Sequence, residues 1–328
     1  LIELTITEKE AIFVLNYFHT QAGQLLPIAD YQRNCWVHVE QPTVNELNQL
    51  QTRFTLPSDY LTAVLDDKEN PRAEGIHHSI IEQPALILLR FPHETVSPLG
   101  YNEYTTFPFA IILTAEALIT ISNHSAPFIQ DFLLQQTQLN TSNHERFALQ
   151  LIWFINKYYL DCLDENSRAM DELEKTLSLA NENNDLFQLT AMQKSLIRFQ
   201  TALHKNRQLL ANLQASKFYF ETAPFIKLLR DILIESEQAA TTTIQQKQII
   251  DEYNTTVSSI VSNNLNIIMK VLTSITIILT IPTIIGGIYG MNVHLPGAAS
   301  AHAFAVIIFG TLIVSWLAAW WLRHRHFF

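Results

Sequence analysis

One run of residues late in the sequence has the types and the spacing to handle a cation. Asn266, Thr273, Thr276, Thr280, Thr283 and Gly287 recur at intervals of seven, three, four, three and four, which places them on one face of an α-helix. The stretch around most of them, Val271 to Tyr289, carries no charge. Lipid offers hydroxyls nothing, so a polar stripe along an uncharged span faces either another helix or water. Thr and Gly permit close helix packing, and their oxygens can equally line an aqueous path. The stripe alone leaves both roles open.

The elements that position the stripe follow from hydropathy. VLTSITIILTIPTIIGGIY at 271–289 and AFAVIIFGTLIVSWLAAWWL at 303–322 are both uncharged, and each has the roughly 20 residues that cross a bilayer. A buried hairpin in a soluble core would rarely stay uncharged on every face for this length. Lys247 and Lys270 precede the first span, Arg323 and Arg325 follow the second, and the connecting loop has neither Lys nor Arg. Both termini are therefore expected in the cytoplasm. Trp316, Trp320 and Trp321 stand near the end of the second span, where indoles favour the headgroup layer. A single hairpin has no interior, so conduction requires several copies about an axis with the first span innermost, a closed cyclic homo-oligomer.

Composition narrows the partners. The net charge of −10 and the lack of clustered Lys and Arg argue against nucleic acid and make cations the natural partners. Cys35 and Cys162 are far apart with no CxxC spacing, and no secretory signal pattern opens the sequence. They read as reduced structural thiols. No GxSxG, HExxH or Walker A pattern occurs, and the acids at 161, 164, 165, 171, 172 and 174 read as solvated helix faces, so an enzyme is not expected.

Glycine is absent from 101 to 285, and proline from 128 to 223 and from 225 to 281, which predicts long helices. Residues 131–223 are expected to form an antiparallel hairpin turning near Asn181 to Asp185. Residues 224–270 form the near part of a long stalk helix that continues through the first span, about 90 Å in all. Residues 1–130 read as an α/β domain, with strands at Cys35–Val39, Ala85–Phe91, Phe109–Leu113 and Ala117–Ile121 and helices near 43–53 and 57–66. His77 and His78 are adjacent on an expected strand, so their side chains would point apart.

YGMN at 289–292 directly follows the first span, and IMKVLT at 268–273, Pro282 and GGI at 286–288 precede it. In this order these residues resemble the CorA family of magnesium and divalent-cation transporters. A bare GMN recurs by chance, but its place at the outer end of the penultimate span makes it specific. CWVHVEQPT at 35–43, LPSDYLTAVLD at 56–66 and PRAE at 71–74 extend the likeness over most of the chain.

The resemblance implies a multi-pass plasma-membrane protein assembled as a funnel-shaped homopentamer. Its parts are an α/β cytosolic N-terminal domain, a long α-helical stalk, and two transmembrane helices. It implies a selectivity filter at Gly290, Met291 and Asn292 in an extracytoplasmic loop over 290–302, and a basic cytoplasmic tail at 323–328. Mg²⁺ dehydrates reluctantly, so a ring of Asn292 amide oxygens would hold it through its waters. Thr283, Thr280, Thr276, Thr273 and Gly287 would line the path, Leu272 and Met269 would narrow it, and Asn266 would mark the cytoplasmic mouth. Asp59 and Asp231 map onto an inter-subunit regulatory Mg²⁺ site, with Ser58 where many relatives carry a second acid. Taken alone, either acid is a helix cap or a solvated charge.

The loop after GMN departs from the family in lacking an acidic segment and carrying His294 and His302. Histidine suits Zn²⁺, Co²⁺ or Ni²⁺, which keeps a zinc-transporting relative of the same superfamily open. A reading of a different class is a membrane-anchored helical scaffold that conducts nothing.

Overall fold

The structure, a computed structural model, describes residues 15–134, 139–176, 182–216, 219–291 and 302–325. The chain divides into two compact units, one ending at Ile250 and one beginning at Asp251.

The first unit is built on a seven-stranded sheet. Its strands are β1 (Leu15–Gln21), β2 (Gln24–Ile28), β3 (Cys35–Glu40), β4 (Arg72–Glu74), β5 (Ala85–Val96), β6 (Asn102–Leu113) and β7 (Ala117–Ser122). They lie in the order β2-β1-β3-β7-β6-β5-β4. β3 and β7 run parallel, Val37 opposite Ile119, and the other neighbours are antiparallel.

Side chains alternate along each strand. Cys35, Val37 and Val39 join Leu47, Leu50 and Phe54 of α1 (Val44–Phe54) and Tyr60, Leu61 and Val64 of α2 (Ser58–Leu65) in one core. Trp36 turns to the other face, 5.6 Å from Phe132 of α3 (Phe128–Leu134) and 5.2 Å from Phe147 of α4 (His144–Thr176). With both faces covered, the stretch from Cys35 to Val39 has no exposed position. Each such large apolar side chain stabilises the fold by about 1.5–3 kcal/mol.

A chain of polar groups links β3 to β7 inside this core. Trp36 Nε1–H donates to Thr120 Oγ1 at 2.8 Å, and the same oxygen lies 2.8 Å from His38 Nδ1. His38 Nε2 lies 3.3 Å from Glu40 Oε1, and the Glu40 carboxylate also accepts from the Ala126 amide at 2.9 Å. Burial works to raise the Glu40 carboxyl, but these hydrogen bonds outweigh it and hold it below its ordinary value.

The first turn of α1 is closed by a capping box, in which the Glu46 carboxylate accepts from the Thr43 amide at 2.7 Å and the Glu46 amide donates to Thr43 Oγ1. α5 (Glu182–Gln214) docks on β5 through Asn206, which accepts from the Arg90 amide at 3.0 Å and donates to its carbonyl at 2.8 Å. α4 is tied to α6 (Ala223–Tyr289) by Asn166 Nδ2 to Gln246 Oε1 at 3.1 Å and Gln246 Nε2 to the Leu163 carbonyl at 2.8 Å.

Two sequence expectations change. The turn expected near Asn181 to Asp185 does not extend that far, because α5 begins at Glu182 and includes Asp185; carboxylates suit the positive end of a helix. Residue 181 itself lies outside the described residues. His77 and His78 occupy a turn after β4, closed by the His78 amide donating to the Gly75 carbonyl at 3.3 Å. Gly75 adopts φ +70° there, a conformation that favours glycine.

α6 is a single helix of 67 residues. Pro224 falls in its first turn, where a missing N–H costs nothing. Pro282 lies inside it and removes one hydrogen bond, the one to the Ile278 carbonyl. The second unit holds the rest of α6 and α7 (Ala303–His324). The most apolar window of each helix is only 6% buried. A core helix of a soluble protein would be mostly covered, so these two have the length, composition and exposure of membrane spans.

Candidate functional site

Asn266, Met269, Leu272, Thr273, Thr276, Thr280, Thr283 and Gly287 all lie on α6 and are all exposed. At about 100° per residue they occupy about a third of the helix circumference. A second set, Val271, Ser274, Ile278, Ile281 and Ile285, is shielded: Ser274 is fully buried and the others half-buried. Its spacing of three, four, three and four places it roughly 160° from the first. The stripe therefore points away from the side of α6 that its own chain covers.

The hydroxyls have a defined polarity. Thr276 Oγ1 donates to the Leu272 carbonyl at 2.8 Å, Thr280 to Thr276 at 2.7 Å and Thr283 to Leu279 at 3.0 Å. A hydroxyl has one proton and two lone pairs. With the proton committed to its own helix, each of these three threonines is left with its lone pairs as acceptors for water protons, and buried Ser274 makes the same kind of bond, to the Lys270 carbonyl at 2.8 Å.

α6 ends at Tyr289, and the Gly290 amide closes the last turn on the Gly286 carbonyl at 2.9 Å. A Cβ at Gly290 would stand 3.2 Å from that carbonyl oxygen, so glycine permits the close turn into Met291, which is exposed. Asn292 and His294 lie outside the described residues. His302 is exposed immediately before α7.

Asp59 is exposed in the first turn of α2, and Asp231 is exposed on α6. Arg72 bonds Glu69 at 2.8 Å and also Glu74. Burial works to lower the Arg72 guanidinium, but the Glu74 hydrogen bond and the charges of Glu69, Glu74 and Asp59 outweigh it and hold it above its ordinary value. Asp59 thus already feels a cation. Among the described residues no group of three or more His, Cys, Asp or Glu side chains is placed to hold a metal.

The shielded seam escaped the sequence reading. The first span is apolar on nearly every side, so only the small hydroxyl of Ser274 at heptad spacing from Val271 and Ile278 signalled a packed face.

An α/β unit, a single long helix with a polar stripe near its end, and a second short helix, both helices with the length and composition of membrane spans, describe a two-span membrane protein. The family model described as CorA-like Mg2+ transporter protein matches residues 31–324, and the chain belongs to this family, whose members are membrane transporters of divalent cations. Over 285 residues it is 25% identical to the cobalt/magnesium transport protein CorA of Methanocaldococcus jannaschii, covering 85% of this chain and 86% of that one. The complete structure of the CorA magnesium transporter from that organism superposes with a TM-score of 0.80 at 19% identity, covering 97% of this chain and all of the other. The ZntB cytoplasmic domain of Vibrio parahaemolyticus shares the fold, with a TM-score of 0.55 at 15% identity over 76% of this chain and 99% of that domain.

Proposed function

We propose that the chain is one subunit of a homopentameric Mg²⁺ channel of the plasma membrane, with both termini cytoplasmic. Residues 271–289 and 303–322 cross the bilayer, and the sheet unit and stalk lie in the cytosol. The observation that carries this reading is the stripe on α6: it faces away from the side covered by its own chain, and its hydroxyls offer only lone pairs. Five copies arranged with α6 innermost would bring the stripes together around an axis. Asn292 forms the outer ring that holds the ion through its hydration shell, Thr283, Thr280, Thr276 and Thr273 continue the oxygen lining, and Leu272 and Met269 form the apolar constriction.

Control rests on Asp59 and Asp231. Mg²⁺ bridging these acids between subunits offsets their repulsion and favours the closed arrangement, and loss of Mg²⁺ releases it. Ser58 and the nearby Arg72 reduce the negative field at Asp59, which makes this a weak, millimolar-type site.

A second reading within the superfamily is transport of Zn²⁺, Co²⁺ or Ni²⁺. Exposed His302 beside α7 favours it, since imidazole is a ligand for these ions and not for Mg²⁺.

Flux of Mg²⁺, Co²⁺, Ni²⁺ and Zn²⁺ into proteoliposomes, with and without a proton gradient, separates these readings from each other and from a scaffold that conducts nothing. Asn292→Ala is expected to abolish selective uptake with the oligomer intact, because a methyl accepts no hydrogen bond from the ion's waters. Normal Mg²⁺ flux in that variant removes Asn292 from the filter.

A further inference from the structure

A cleft of about 440 Å³ opens in the first unit where the segment after α2 and strand β6 meet α5. The chain as a whole has a net charge of −10, yet this cleft is lined by four cationic side chains, Lys68, Arg90, Arg198 and Lys205, and one carboxylate, Asp67. The carboxylate is occupied: Asp67 Oδ1 lies 2.9 Å from His124 Nε2, whose ring stacks on Phe107 with centroids 3.4 Å apart.

The four cations differ in what they have left to give. Arg90 is committed to the scaffold, donating to the Glu69 carbonyl at 2.7 Å, the Asp67 carbonyl at 2.8 Å, Thr106 Oγ1 at 3.0 Å and the Thr106 carbonyl. It pins the loop that carries Lys68. Arg198 uses Nη1 alone, on Glu103 and the Tyr104 carbonyl, each at 3.0 Å, which leaves Nε and Nη2. Lys205 bonds Asn70 Oδ1 and keeps two protons. Lys68 is exposed, and among the described residues its ammonium makes no ion pair or hydrogen bond. Arg198 and Lys205 stand seven residues apart on one face of α5, and Ala202 between them leaves room.

We propose that this cleft binds a phosphate-bearing polyanion, held by Lys68, Arg198 and Lys205 over the rim of Phe107. The argument is charge and size. Three cations with unspent donors, gathered in an acidic protein, attract an anion. The cleft falls in the range that accepts small molecules, larger than a single phosphate needs and suited to a chain of two or three phosphoryl groups. Two of the three donors are ammonium point charges, which serve phosphate oxygens, whereas a lone carboxylate is best met by one arginine fork. The site is built from residues of the first unit alone and does not rest on the transport reading.

Isothermal titration of the full-length protein in detergent, with EDTA present and at about 150 mM salt, tests it with sodium tripolyphosphate and with ATP. Saturable binding of one ligand per chain is expected, weakened roughly tenfold by Lys68→Ala and again by Lys205→Ala. Lys157→Ala, whose ammonium stands 5.9 Å over Trp153 on α4, leaves binding unchanged. Both lysines of the cleft are peripheral to the core, so unchanged thermal melting will show the variants folded. ATP binding more tightly than tripolyphosphate supports the site and adds a base contact, and equal binding supports it as a phosphate-chain site. Absence of saturable binding to the wild type, or affinity indifferent to both lysine substitutions, overturns the proposal.

Discussion

Strand β5 and the part of α6 beyond Lys270 are both strongly apolar, but they meet opposite surroundings. Leu86, Ile87 and Leu88 are completely buried, whereas Leu272, Leu279 and Ile284 are 57%, 63% and 56% exposed. The hydroxyls differ in parallel. Thr120 in the sheet joins Trp36 and His38 across 84 and 82 residues of chain, while Thr276, Thr280 and Thr283 bond to their own helix four residues back. In the first unit the protein is its own solvent, and buried Thr120 meets its partners on the neighbouring strand. In the second, the chain leaves most of each helix uncovered, and the hydroxyls satisfy their donors locally, as a lipid environment demands.

The comparison breaks most visibly in stability. Phe109 packs 5.2 Å from Phe128 and 6.0 Å from Phe91, and Phe109→Ala is expected to cost about 3–5 kcal/mol, a large fraction of a domain's total of roughly 5–15. Leu279→Ala in detergent should cost under about 1 kcal/mol, because no cavity forms where solvent fills the space. Thermal melting of the two variants checks this, and equal losses would mean that Leu279 is packed in protein.

A finer test addresses the two sides of α6. Cysteines at Thr276, Thr280 and Thr283 should react with water-soluble thiol reagents at least about tenfold faster than cysteines at Ile278 and Ile285 on the shielded seam. The natural thiols give no background, since Cys35 and Cys162 are buried and burial pushes both above the ordinary thiol range. Equal labelling of the two sides would mean that the stripe packs against protein and not water.

The smallest effect is expected at the proposed regulatory acids. Millimolar-range Mg²⁺ should slow limited proteolysis of the wild type a few-fold, an order of magnitude set by a weak carboxylate site, and chelation should restore the faster rate. Asp231→Lys, alone or with Asp59→Lys, supplies charge without oxygen coordination and should lose most of that response while still assembling. The same protection over the same Mg²⁺ range in wild type and variant would remove Asp231 from the sensor.

Much of this was readable in the residues. Val271–Tyr289 and Ala303–Leu322 announce themselves because lipid demands some 20 uncharged positions in a row, and α6 is one helix because neither Gly nor Pro interrupts it from 225 to 281. CWVHV was legible as a strand through its β-branched and aromatic content. β1 was not: LNYFHTQ mixes polar and apolar residues without clear alternation, and its place in the sheet comes from pairing with β3, Tyr17 opposite Val37. β4 is three residues long, too short for any period to show.

The sequence by itself determined the membrane spans, the long helix, the GMN context and the polar stripe, all properties of residues close together in the chain. Only the tertiary structure decided which side of α6 is covered, since a span apolar nearly all round has no periodicity to reveal its packed seam. It likewise decided that Lys68 and Lys205 share one cleft. That meeting depends on Arg90 pinning one loop and Asn206 docking one helix, and long-range packing of this kind leaves no local pattern to read.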